Sequence, residues 1–102
     1  MDRTKNTFSA ALRTVRRAKG VSQEDLGGLS SRTYVSSLER GLKTPTLSKI
    51  DQLAEMLEMH PLTILLLSYS DSMREDDVAR VWKRVERELD GLRAASGPKP
   101  DE

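Results

Sequence analysis

Apolar residues recur along this chain at intervals of three and four, the spacing that lines one face of an α-helix, and no segment reads as a strand. Phe8, Ala11, Leu12, Val15 and Ala18 mark a first helix that Gly20 closes. Leu47, Ile50, Leu53, Ala54 and Leu57 give a stripe running to about Met59, with Pro45 unable to continue a helix and Thr46 placed to cap this one. His60-Pro61 restarts the chain, proline suiting a first helical position, and Leu62 to Leu67 makes a short and very apolar helix.

Between the first helix and Pro45 the sequence reads SQEDLGGLSSRTYVSSLERGLKTP. Ser22 followed three residues later by Asp25 is a capping-box pattern that starts a helix. Gly27-Gly28 breaks it. Ser30 or Ser31 can cap a further helix, Arg32 to Arg40, which Gly41 stops. Leu26, Val35, Leu38 and Leu47 are assigned to the core. Two short helices joined by a glycine-bearing turn form a helix-turn-helix, whose second member can lie in the major groove of DNA.

The first turn of that second helix points at base edges, which selects Arg32 and Thr33. Arginine can donate two hydrogen bonds to guanine, and threonine can offer a methyl or a hydroxyl. Ser37, four residues after Thr33, shares its face and is a third candidate. Ser36 and Tyr34 are candidates for phosphate, with packing against the domain an equal alternative for Tyr34. Arg40, Lys43 and Thr44 are expected to reach phosphates from the loop that follows.

Four blocks carry a family resemblance: Ser22-Gln23-Glu24-Asp25-Leu26, Arg32-Thr33-Tyr34-Val35-Ser36, Leu38-Glu39-Arg40-Gly41 and Pro45-Thr46-Leu47. In that order they resemble the Cro/C1-type (XRE) helix-turn-helix regulators over roughly residues 8–67. The resemblance implies an all-α, five-helix, lambda-repressor-like DNA-binding domain over residues 1–67. It places Gln23 at the DNA backbone and pairs Arg16 with Glu39 as a structural ion pair. The chain departs from the family pattern between Leu26 and Arg32, which is about two residues shorter than usual, and Gly27 stands where a small alanine is common. Helix 2 is therefore expected to be clipped.

A second region follows, residues 68–95. Ser72 with Glu75 repeats the capping-box pattern, and Glu75-Asp76-Asp77 suits a helix N-terminus. Val78, Val81, Trp82, Val85, Leu89 and Leu92 form one stripe with a near-heptad rhythm. A helix with a single apolar face must bury it, against its own domain or against a second copy. Two-fold symmetry gives a groove reader its half-site spacing, so the stripe is assigned to a homodimer interface, to which Leu62 to Leu67 can add. Residues 96–102 read as a disordered tail.

Charge sharpens this division. The net charge is only +1, but residues 1–50 hold ten Lys/Arg against four Asp/Glu, and residues 51–102 hold seven against twelve. A basic half with the helix-turn-helix and an acidic half without it fit a DNA-facing and a partner-facing surface. Other chemistry finds no foothold. There is no cysteine, so no disulfide, thiolate metal site or thiol nucleophile is available, and the single histidine, His60, reads as a cap rather than a base. No catalytic set, metal site, cofactor or membrane span is expected, and the cytoplasm is the expected location. The expected function is a homodimeric, sequence-specific regulator of transcription, by default a repressor on an inverted-repeat operator of double-stranded DNA. A protein-interaction module, such as an antitoxin that binds a protein partner and represses its own operon, is the alternative.

Overall fold

The computed structural model describes residues 7–27 and 32–97. The described residues form six α-helices: α1 Phe8–Ala18, α2 Gln23–Leu26, α3 Arg32–Glu39, α4 Leu47–Met56, α5 Pro61–Ser68 and α6 Glu75–Ser96. The fold is all-α, with five short helices and a long sixth.

Local chemistry sets most of the boundaries. Ser22 caps α2 through a full capping box: its hydroxyl accepts from the Asp25 N–H at 3.0 Å, and the Asp25 carboxylate accepts from the Ser22 N–H at 3.4 Å. Thr46 caps α4 by accepting from the Lys49 N–H at 3.1 Å. His60 caps α5, its Nδ1 accepting from the Leu62 N–H at 2.9 Å, with Pro61 in the first turn. Gly20 and Gly41 take left-handed backbone after α1 and α3, where a side chain would strain the turn. Candidate caps Ser30 and Ser31, and most of the proposed tail, lie outside the described residues.

One core holds the first five helices together. Phe8, Leu12 and Val15 from α1 meet Leu26, Val35, Leu38, Ile50, Leu53, Ala54, Leu57 and Ile64. Helix α1 is the spine, packing on both α3 and α5. Its N-terminus is tied to the end of α5, where the Thr7 N–H and hydroxyl both donate to the Ser68 carbonyl, at 2.8 and 3.0 Å.

Three expectations are corrected. Leu47 is not core: it is 73 % exposed. It occupies the first position of α4, and the inward face begins with Ile50 one turn later. Helix α4 stops at Met56, ahead of Glu58 in left-handed backbone, so Leu57 and Met59 pack from the turn and not from the helix. Helix α6 begins at Glu75 with Arg74 at its N-cap, and Ser72 does not close a capping box. The Ser72 hydroxyl donates instead to the Asp77 carboxylate at 2.6 Å and accepts from the Arg74 N–H at 3.0 Å.

No residue of α6 is buried. At ~1.5 Å per residue its 22 residues reach about 33 Å, and only its beginning rests on α5.

Candidate nucleic-acid interface

Helix α3 is held from behind by a polar network that the core would not tolerate unpaired. Arg16 and Glu39 are 9 % and 3 % exposed and face each other as a two-pronged ion pair. Arg16 Nε donates to Glu39 Oε2 at 2.5 Å and Nη2 donates to Oε1 at 2.9 Å. The third nitrogen, Nη1, donates to the Val21 carbonyl at 2.9 Å. Arg13 donates to the Glu39 carbonyl at 2.7 Å. Every arm therefore links α1 to the last residue of α3 or to the turn before α2.

Burial pushes the Glu39 carboxyl up, but hydrogen bonds from Arg16 and Gln23, with the charges of Arg16 and Arg13, outweigh it and hold it below the ordinary carboxylate range. The Arg16 guanidinium is pushed up, chiefly by its hydrogen bonds to Glu39. Both groups stay charged, as a buried pair must.

Gln23 serves this same network. Its side-chain amide donates inward to Glu39 Oε1 at 2.9 Å instead of pointing outward from α2. The carboxylate of Glu39 attracts that amide, so Gln23 joins the buried ion pair to the open cleft that it lines beside Arg32.

The outward side of α3 begins with Arg32 and Thr33, both exposed. Arg32 shares an open cleft with Arg17, Ser22, Gln23 and Glu24. Ser37 does not continue this face. It is 8 % exposed, and its carbonyl accepts from the Leu42 N–H at 2.9 Å as the helix closes. Spacing alone put Ser37 beside Thr33; its burial takes it out of the exposed start of the helix that Arg32 and Thr33 form.

Tyr34 packs against the core while its ring is approached by two ammonium groups, Lys43 Nζ at 5.7 Å and Lys49 Nζ at 5.3 Å from the centroid. The ring face attracts cations, so it gathers the two lysines beside α3. Lys43, Thr44 and Arg40 are exposed on the loop, and Ser36 is half-buried, its carbonyl accepting from Arg40 Nε at 3.4 Å. Arg13 and Lys49 carried no assignment in the sequence. Lys49 lies 15 residues from Tyr34, and only the loop between α3 and α4 brings them together.

Among the described residues no group of three His, Cys, Asp or Glu is placed to hold a metal ion, and no helix is long and apolar enough to cross a membrane.

A short helix capped at Ser22, a turn, and a second helix with its start exposed and its end anchored form a helix-turn-helix. A family model described as "Helix-turn-helix domain" matches residues 7–64. The chain belongs to the helix-turn-helix domain family, as a transcription regulator of the DNA-binding Cro/C1 (XRE) type. Among solved structures, it is similar to the restriction-modification controller protein C.AhdI from Aeromonas hydrophila. That match has 42 % identity and a TM-score of 0.54, over 56 % of this chain and 86 % of the other. It is also similar to the hypothetical transcription factor NHTF from Neisseria, at 32 % identity and a TM-score of 0.56, over 62 % and 75 % of the two chains. The clp gene regulator ClgR from Corynebacterium glutamicum shares the fold at 23 % identity, with a TM-score of 0.58, over 92 % of this helix-turn-helix chain and 94 % of ClgR. Comparison with the curated proteins gives no match. The family match ends before α6 begins.

Proposed function

We propose that this helix-turn-helix protein is a homodimeric, sequence-specific repressor that reads an inverted-repeat operator with α3. The observation that carries this reading is the contrast between the two ends of α3. Its end is fixed by a buried, fully partnered ion pair, and its start presents Arg32 and Thr33 to solvent. Rigid placement behind and free donors in front is what base reading requires, because a bidentate arginine–guanine contact tolerates little misalignment.

Phosphate contacts would then come from Lys43, Thr44 and Arg40 on the loop, from Ser36, and from Tyr34 through the lysines over its ring. Contacts of this kind position the protein and carry no sequence information. Dimerisation is assigned to the α6 stripe of Val78, Val81, Trp82, Val85, Leu89 and Leu92. Repression by occupying the operator needs no effector domain. The kinship with a restriction-modification controller supports a regulatory role at a promoter.

Selection of bound duplexes from a random pool at physiological salt tests this. The expected result is enrichment of a two-fold symmetric site. A single half-site would remove the dimer, and no enrichment would transfer the function to a protein partner of the acidic half.

A further inference from the structure

The second half of α1 carries three arginines, and they divide by what they touch. Arg13 and Arg16 turn onto Glu39. Arg17 is exposed and makes no hydrogen bond or ion pair with any described residue. The described residues of the five-helix domain include five arginines, Arg13, Arg16, Arg17, Arg32 and Arg40. Three find partners inside the protein, with Arg40 on the Ser36 carbonyl. The two that find none among the described residues, Arg17 and Arg32, line the same open cleft of about 610 Å³.

Arg17 comes to this cleft from α1 and Arg32 from α3, with Ser22, Gln23 and Glu24 from the start of α2 completing the lining. Arg16 also borders it, but Glu39 matches its charge. Two unmatched cations against the single carboxylate of Glu24 leave the opening positive. A free guanidinium offers a planar fork of donors that fits the oxygens of a phosphate.

Resting on the reading that α3 enters the major groove, we propose that Arg17 binds a backbone phosphate of the operator in this cleft, beside the base that Arg32 reads. Arg17 is then a positioning residue. It carries no sequence information of its own and fixes the register in which Arg32 meets its base. The two side chains share one cleft, so at ~3.4 Å of rise per nucleotide the phosphate and the base lie within a few nucleotides of each other.

The site is set before DNA arrives. Arg17 follows Arg16 directly, and the buried pair of Arg16 with Glu39 ties α1 to α3, so both walls of the cleft hold their places. The position around α1 matters as much as the charge. Lys19, two residues further on, is exposed as well, but it lines the groove between α1 and α5 and not this cleft. It supplies an internal control of equal charge on another face of the same helix end.

The test compares Arg17→Ala, Arg17→Lys and Lys19→Ala in the full chain, on the selected operator and on a random duplex, over a range of salt. Arg17 is exposed and touches no described residue, so Arg17→Ala should leave the melting curve unchanged. It should weaken binding to both duplexes by the same factor and lower the salt slope by about 0.9 for each copy bound, which shrinks the gap from the unsubstituted chain roughly threefold per copy between ~50 and ~200 mM salt. Arg17→Lys should restore most of the slope, and Lys19→Ala should leave the slope near its original value. Operators carrying one uncharged methylphosphonate per half-site then locate the contact. One position, within a few nucleotides of the base whose preference Arg32→Ala relaxes, should weaken the unsubstituted chain and leave Arg17→Ala unaffected.

An unchanged slope for Arg17→Ala, an equal loss of slope for Lys19→Ala, or a methylphosphonate scan that weakens Arg17→Ala at every position where it weakens the unsubstituted chain would each overturn the assignment while leaving DNA reading by α3 intact. Loss confined to the selected operator would make Arg17 a base contact and overturn it too. An unsubstituted chain that binds neither duplex refutes both levels.

Discussion

Replacing Glu39 by glutamine keeps the shape of the side chain and removes its charge. Arg16 would remain 9 % exposed, with Nη1 still on the Val21 carbonyl but with no anion opposite Nε and Nη2. One oxygen acceptor of the carboxylate becomes an NH₂ group that faces another donor. Removing one partner of a buried pair costs about 3–5 kcal/mol, since the surviving charge is desolvated without compensation. A domain of this size holds a total of only about 5–10 kcal/mol. Glu39→Gln should therefore remove close to half the stability. With a slope of ~1 kcal/mol per M, the urea midpoint followed by circular dichroism at pH 7 should fall by about 3–5 M.

Two controls make the reasoning refutable. The Glu39 carboxyl is held below its ordinary range, so its contribution is complete above the unfolded value of ~4.3 and is lost as pH falls through the lower folded value. The stability gap between the native chain and Glu39→Gln should thus be widest near neutrality and close below about pH 4. The double variant Arg16→Met with Glu39→Leu should recover most of the loss, because apolar groups of similar volume carry no desolvation penalty. A loss under about 1 kcal/mol at pH 7, or a gap that does not change down to pH 3, would refute a structural role for the pair.

Arg32→Ala should weaken binding to the selected operator by about 1–3 kcal/mol and relax one base position in a repeat of the selection, whereas Lys43→Ala should weaken every sequence alike and lower the salt slope by about 1. Equal loss on all sequences for Arg32→Ala would remove it from the base-reading set. Thr46→Ala leaves the Lys49 N–H without its acceptor and should cost about 1 kcal/mol in a denaturant titration. Gly27→Ala should cost about 1–3 kcal/mol, as overpacking does, and should also weaken operator binding; an unchanged melting curve would show that the turn has room to spare.

Much of the helical order was legible because several helices have their own apolar stripe and three of the six have their own side-chain cap, both properties of a few consecutive residues. Ser22, Thr46 and His60 act locally, so their roles follow from neighbours within three positions. Ser37 and Leu47 were misread for a common reason. Helical spacing says which residues share a face and not how deep each one lies once the helices pack, and Ser37 is buried while Leu47 stays outside. Ser72 was misread as a cap, and the tie from Gln23 to Glu39 was missed, because a polar side chain with two available partners takes the stronger. For each of them that partner is a carboxylate, Glu39 for Gln23 and Asp77 for Ser72.

The shortened turn gives α3 a second support, at the end opposite the ion pair. At Gly27 the backbone has φ −75°, which any residue adopts, so glycine is not there for conformational freedom. It is there for room. A Cβ at that position would stand 2.8 Å from the Arg32 backbone nitrogen and 3.2 Å from its Cα, and neither atom can swing aside as a side chain could. With fewer residues between Leu26 and Arg32 than the family pattern provides, α2 and α3 close the gap by direct backbone approach, and only a residue without a side chain permits it. The start of α3 is therefore seated against Gly27, and its end against Arg16, Arg13 and Gln23 through Glu39. Arg32 belongs to the seated residue itself, so a shift of a few tenths of an ångström at Gly27 moves the proposed base-reading side chain without an intervening lever. On the proposed base reading, specificity and stability are coupled at this turn, and a change that loosens one should loosen the other.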